Sequence, residues 1–272
     1  MEKIKYFKYL FIILFIFVIW TFALWKVNND FKQISDNNGL NIYTNSDKSI
    51  YIAKINLERV DIDFWWVLTE NIDNKYESNK TKNERFNRIS SYDLVKFPEN
   101  KNILWALNGQ FFNANLSTTF LSFPVKSDGK IISSYMDNKL QKRTFIIDDN
   151  WIPKILEWFN NWFLENKNNK DVIAWIHPEE NFLKDRKLPR NFMWIIDNQN
   201  IVFVLAKAKT QEDMVKIMQN QWIKFENIIM FDWWPSSQMS YIEKWEDKSF
   251  IHQVYWGWKV PHFFLIREKN NF

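Results

Sequence analysis

The stretch Asn227–Met239, NIIMFDWWPSSQM, combines residue types that do chemistry. Four apolar residues lead to Asp232, and Trp233, Trp234 and Pro235 separate it from Ser236 and Ser237. A carboxylate closing a buried strand can act as an acid/base or orient a sugar hydroxyl. Backbone N–H groups of a tight turn, joined by two hydroxyls, can form a nest for an anion. The plain alternative is a strand and turn with a solvated Asp232. A second cluster is Leu104–Phe112, LWALNGQFF, a strand running into a turn at Asn108-Gly109. Its plain alternative is a hairpin. A third is Leu188–Ile195, LPRNFMWI, where Arg190 precedes a buried strand. A single Arg there is either a solvated edge residue or a forked ligand for a phosphate. His177, His252 and His262 share no metal-ligand spacing, and Ser236 has no nucleophile-elbow context. No motif names a cofactor or a metal.

These residues need strands to hold them. Short apolar, β-prone runs are predicted to be strands at Ser49–Ile55, Ile103–Leu107, Thr144–Ile147, Val172–Ile176, Phe192–Asp197, Ile201–Leu205, Ile228–Phe231 and His262–Ile266. Asp128-Gly129, between Val125 and Ile131, predicts a hairpin turn. Asn71–Arg88 is highly charged and reads as a loop or solvated helix. One helix stands out. Thr210 and Asp213 make a box-like cap, and Met214, Val215, Ile217 and Met218 follow at helical spacing. It lies between two strands, so a strand–helix–strand unit in a mixed sheet is expected. The fold class expected is α+β, a mixed sheet with packed helices, preceded by one N-terminal transmembrane helix.

That last element rests on residues 9–25, which carry no charge over 17 positions. This is near the lower limit for a spanning helix. Lys3, Lys5 and Lys8 precede it, so the domain is expected outside the membrane. The expected organisation is 1–25 anchor, 26–40 polar tether and 41–272 a single domain. A cleavable signal is the rival, provided Trp25 is really glycine after Ala23-Leu24. The net charge of +4 and the lack of any basic stripe give no sign of nucleic acid as a partner, and zero cysteines exclude disulfides and thiolate chemistry. The composition has one anomaly. There are 16 Trp and 4 Gly, whereas ordinary usage would give about 19 glycines. Trp233-Trp234 and Trp65-Trp66 are pairs, and Trp256 and Trp258 flank Gly257. We expect several of these tryptophans to be glycine in the protein as made, as in lineages that read UGA as glycine.

The three clusters, in this order, resemble the phosphodiester glycosidase domain family. The residues that carry the likeness are Asn108-Gly109-Gln110-Phe111-Phe112, Pro189-Arg190-Asn191-Phe192-Met193-Trp194, Phe231-Asp232-Trp233-Trp234-Pro235-Ser236-Ser237, and the terminal Val260-Pro261-His262. The likeness spans residues 103–267. It departs from the family at Trp194, Trp233 and Trp234, which stand where the family has Gly. Gln110 also replaces a Gly, and Pro235 replaces the third Gly of the turn, removing one N–H from the nest. The resemblance implies hydrolysis of a sugar-1-phosphate diester on envelope or extracellular glycans. It implies catalytic roles for Asp232, Arg190 and Asn108, and substrate contacts from Ser236, Ser237, Trp233, Trp234 and Gly109. The partners implied are a glycan or sugar-phosphate substrate and, through the anchor, a membrane. The rival reading is a non-catalytic envelope module that binds glycans on aromatic platforms.

Overall fold

The structure is a computed structural model. It describes residues 31–66, 86–96, 102–109, 112, 119, 121–135, 142–180, 184–219, 225–232, 236–245, 248–254 and 258–269. Each of the eight predicted strands is found; six run longer than predicted, the strand predicted at 49–55 lies at Ile50–Asn56, and the one predicted at 192–197 starts earlier and ends at Ile195. The apolar runs β5 (Ile103–Asn108), β10 (Asn169–Ile176), β11 (Leu188–Ile195) and β12 (Asn200–Lys209) are buried along nearly their whole length. Strands covered on both faces have no need of polar alternation. By contrast, β2 (Leu40–Asn45) and β4 (Val60–Trp66) alternate between buried and half-buried residues, as strands covered on one face do.

The strands form two sheets. The larger has 11 strands and runs β1 (Phe31–Asn37), β2, β3 (Ile50–Asn56), β12, β11, β13 (Ile228–Asp232), β10, β6 (Val125–Ser127), β7 (Lys130–Ser133), with β8 (Lys142–Asp148) and β9 (Pro153–Leu156) attached through β10. The smaller has 5, ordered β15 (Lys248–Val254), β14 (Met239–Trp245), β5, β16 (His262–Glu268), β4. An aromatic seam joins the sheets. Trp105 of β5 lies 5.0 Å from Phe203 of β12, and Phe264 of β16 lies 5.2 Å from Phe203 and 4.8 Å from Trp175 of β10. Trp105, Trp175 and Phe264 are fully buried.

The expected α+β class is therefore corrected. The described residues are mostly strand, in two sheets whose paired neighbours are antiparallel throughout. Their helices are short: α1 (Ser91–Lys96), α2 (Trp162–Glu165) and α3 (Gln211–Gln219). The strand–helix–strand unit exists as β12–α3–β13, and its cap is the one expected. Thr210 N–H donates to Asp213 Oδ2 and Asp213 N–H to Thr210 Oγ1, both at 3.1 Å. Met214 and Met218 are buried while Val215 and Ile217 are half-buried. β12 and β13 flank β11, so the helix crosses one antiparallel strand; the sheet is not mixed.

The Asp128-Gly129 hairpin is also found, with φ of 46° and 75° at its two central residues. Residues 31–37, expected in a polar tether, form the edge strand β1. The single-pass, extracytoplasmic localisation is likewise corrected. Among the described residues no helix is long and apolar enough to cross a membrane, and the anchor expected at 1–25 lies outside them. Most of the charged stretch 71–88 also lies outside them.

Candidate active site

One end of the sandwich gathers the carboxyl ends of β5 and β13 with the first residues of β11, β14 and β16. Asn108, the last residue of β5, is buried. Its Oδ1 accepts two bonds, from Asn191 Nδ2 at 2.5 Å and from Gln238 N–H at 2.8 Å. Its own N–H donates to the Gln238 carbonyl at 3.2 Å. Asn191, on β11, stands opposite Asp232 in the ladder to β13. The next pair is Phe192 with Met230, so Phe231 is an extra residue on β13. A bulge of this kind kinks the strand where it ends. Three segments far apart in sequence thus meet at one side-chain oxygen.

Beyond the turn, Ser236, Ser237 and Gln238 are all buried. The Gln238 carboxamide accepts the Ser91 N–H at 2.7 Å and donates to the Trp258 carbonyl at 2.6 Å. Two buried polar atoms of the cluster, Asn191 Oδ1 and Ser237 Oγ, have no hydrogen-bond partner among the described residues. A buried polar group without a partner costs about 1–3 kcal/mol, so such atoms mark places where a ligand has something to offer.

Gly109 is required by a close approach. Its N–H donates to the His262 carbonyl at 2.9 Å, and the His262 ring fills the space where a side chain would start. A Cβ there would lie 2.7 Å from Cε1 and nearer still to Nδ1. His262 is fully buried and packs against Phe64 and Phe264, at 5.7 and 5.9 Å. Burial pushes its pKa down to about 3, so the ring is neutral at ordinary pH.

Arg190 is not brought into this cluster. Successive residues of a strand face opposite sides, and Arg190 points away from the side taken by Asn191. It is buried, with Nε donating to the Lys209 carbonyl at 2.8 Å and Nη2 to the Arg186 carbonyl at 3.0 Å. Burial lowers its pKa to about 10, against an opposing pull from Asp213 at the start of α3. The guanidinium thus closes the β12–α3 corner. Of the expected site residues, the structure joins Asn108 and Gly109 to the segment Ser236–Ser237, and joins the backbone of Asp232 to the strand of Arg190. Trp233, Trp234, Gln110 and Phe111 lie outside the described residues. Asn191, Gln238 and His262 complete the cluster; all three lie inside the quoted motifs, but the sequence assigned none of them a role. Among the described residues no three His, Asp or Glu side chains come together as a metal site.

The sequence matches no protein family and no curated protein. Solved structures do resemble this fold. The catalytic domain of zebrafish N-acetylglucosamine-1-phosphodiester alpha-N-acetylglucosaminidase, auto-inhibited by its pro-peptide, superposes with a TM-score of 0.54 at 12% identity, covering 88% of this chain and 82% of that one. A hypothetical protein from Synechocystis superposes with a TM-score of 0.50 at 9% identity, covering 88% of this chain and 64% of that one. At these identities the likeness is one of fold.

Proposed function

We propose that the protein hydrolyses a sugar-1-phosphate diester, breaking the bond at the anomeric carbon. One observation carries this reading: three distant motifs converge on Asn108 Oδ1 in a buried polar cluster that leaves Asn191 Oδ1 and Ser237 Oγ without partners among the described residues. The fold it shares with a phosphodiester glycosidase domain supports it.

In such a cleavage the transition state resembles an oxocarbenium ion. The phosphate departs as a stabilised anion, so it needs N–H and cationic contacts more than a strong proton donor. Asp232, beside the bulge, is the acid/base or the carboxylate that orients the sugar. Asn108 is a positioning residue, because both of its oxygen's contacts hold other parts of the site. Ser236, Ser237 and the 233–235 turn supply donors to the substrate. Arg190, occupied by two carbonyls on the other face, is left out of the reacting set. This reading includes glycine at 233 and 234, since two indoles in the turn would fill the nest. One backbone feature supports recoding elsewhere: Trp151 has φ 61°, a left-handed conformation that suits glycine and strains a bulky residue.

Turnover of a hexose-1-phosphate diester by the purified chain is the test. Asp232→Asn should lower it by about 10²–10⁴-fold with little change in stability. Absence of turnover in the parent, or full turnover in the variant, overturns the assignment. The rival, a glycan-binding module, draws support from Trp158 and Trp162, which are 55% and 58% exposed and pack against Phe163. That reading expects glycan binding without turnover.

A further inference from the structure

The outer face of the small sheet carries a cleft of about 550 Å³ whose charged wall has no part in the cluster described above. Among the described residues, Arg88, Lys96 and Lys259 line it, against one carboxylate, Asp93. That carboxylate is already engaged at the start of α1, where Ser90 Oγ donates to Asp93 Oδ2 at 2.7 Å. Lys96 and Lys259 are exposed, and Trp65 forms an aromatic side of the cleft, packed edge-on to Phe263 at 6.0 Å. The surplus of positive charge does not depend on whether position 65 is tryptophan or glycine.

The cleft is tied to the cluster at Asn108. Its two walls are joined by paired backbone bonds, Ile89 N–H to Val260 O at 3.0 Å and Val260 N–H to Ile89 O at 2.8 Å. The Gln238 carboxamide then reaches both walls, taking the Ser91 N–H and giving to the Trp258 carbonyl, while the Gln238 backbone bonds to Asn108. The chain leaving Gly109 also reaches the cleft. Phe112, three residues on, lies 5.6 Å beneath the Arg88 guanidinium. One residue therefore fixes the position of the cationic walls relative to the buried polar cluster.

We propose that this cleft is the subsite for the anionic part of a phosphorylated saccharide. A phosphate of the saccharide other than the scissile one sits among Arg88, Lys96 and Lys259, and a sugar ring lies against position 65. The proposal rests on the glycosidase reading only in making that phosphate part of a substrate. The exposed ammonium groups of Lys96 and Lys259, in an open, water-facing cleft, suit one dispersed dianion. They leave no reason for a neutral glycan to prefer the site.

Calorimetric titration of the full chain tests this with three probes: a hexose 1-phosphate, inorganic phosphate and a neutral methyl hexoside. The hexose 1-phosphate should bind best. Lys96→Ala/Lys259→Ala, with both positions exposed and the fold checked by circular dichroism, should weaken it by about ten-fold or more. Lys96→Arg/Lys259→Arg should keep most of the binding. Affinity unchanged in the alanine variant overturns the proposal. So does inorganic phosphate binding as tightly as the hexose 1-phosphate, which would make this a plain anion site. Lysine-dependent binding with no diester turnover sinks the enzymatic reading and leaves the cleft standing. Turnover of a diester that carries a second phosphate, with a KM that ignores both lysines, sinks the cleft and leaves the enzyme.

Discussion

Gly109→Ala isolates the close approach on which the end of β5 depends. The new methyl carbon would lie 2.7 Å from His262 Cε1 and 3.2 Å from Cγ, with Nδ1 nearer still. Real Cβ contacts of this kind are not tolerated, so a backbone or a ring has to move. The ring has nowhere to go. It is fully buried, with Phe64 and Phe264 packed against it. The backbone is pinned as well, by the Gly109 N–H to the His262 carbonyl at 2.9 Å and by the Phe263–Asn108 pairing beside it. Overpacking a tight core typically costs about 1–3 kcal/mol, and a site closed on both sides belongs at the upper end. At about 2–4 °C per kcal/mol for a domain of this size, a loss of about 3 kcal/mol lowers Tm by about 6–12 °C. Urea and thermal unfolding measure it, and a double-mutant cycle assigns it. His262→Ala removes the obstacle, so Gly109→Ala should cost at least about 1 kcal/mol less in that background. A Gly109→Ala protein within about 0.5 kcal/mol of the parent, or strict additivity in the cycle, would refute the steric argument.

Arg190→Ala should destabilise the chain by about 3 kcal/mol in urea unfolding, because a fully buried guanidinium and its bonds to the Lys209 and Arg186 carbonyls are lost; Arg190→Lys should not restore it, since a single ammonium cannot reproduce the fork. A large loss of substrate binding with stability intact would show instead that Arg190 serves the site. Burial raises the pKa of Asp171 from 3.8 to about 6, so its contribution to stability is present below pH 3.8 and lost as pH rises through about 6. The shift is worth up to about 3 kcal/mol, and Asp171→Asn should flatten the stability–pH profile over that window; an unchanged profile contradicts the assignment. Mass spectrometry of peptides covering 151 and 233–234 should show each lighter by the replacement of indolylmethyl by hydrogen. Peptides covering Trp105 and Trp175, both fully buried in the core, should carry tryptophan. Tryptophan at 151, 233 and 234 ends the recoding idea.

The strands read correctly from sequence were those whose apolar residues run on without a break, because burial on both faces leaves a plain signal. Val60-Asp61-Ile62-Asp63-Phe64 is a clean two-residue alternation and does form β4. Its two aspartates, which face the open side, hid it in a search for apolar runs. The polar strands β14 and β15 were hidden in the same way. The α+β expectation gave one well-capped helix more weight than it has: α3 spans 9 residues beside a sheet of 11 strands. The motifs lie on strands that the structure brings side by side, and on β11 it is Asn191, the neighbour of Arg190, that reaches Asn108. Arg190 and Asn191 are consecutive on a strand buried on both sides. With no alternation of polarity along LPRNFMWI, nothing in that string says which of the two faces Asn108. Gln238 and His262 act through neighbours that are distant in sequence, so their roles appear only once β5, β14 and β16 are side by side.

The pairing of β16 has a consequence for how the chain is made. It hydrogen-bonds to β4 from His262–Trp66 through Glu268–Val60, and to β5 from Phe263–Asn108 onward. Two strands from the first half of the chain therefore wait for the last strand before their shared edge is filled. During synthesis, β4 and β5 leave the ribosome long before β16, with unpaired backbone and apolar faces exposed. Loss of the final dozen residues would remove the centre of the small sheet, since β16 lies between β5 and β4. A frameshift near residue 260 should thus abolish soluble protein as completely as one near the start.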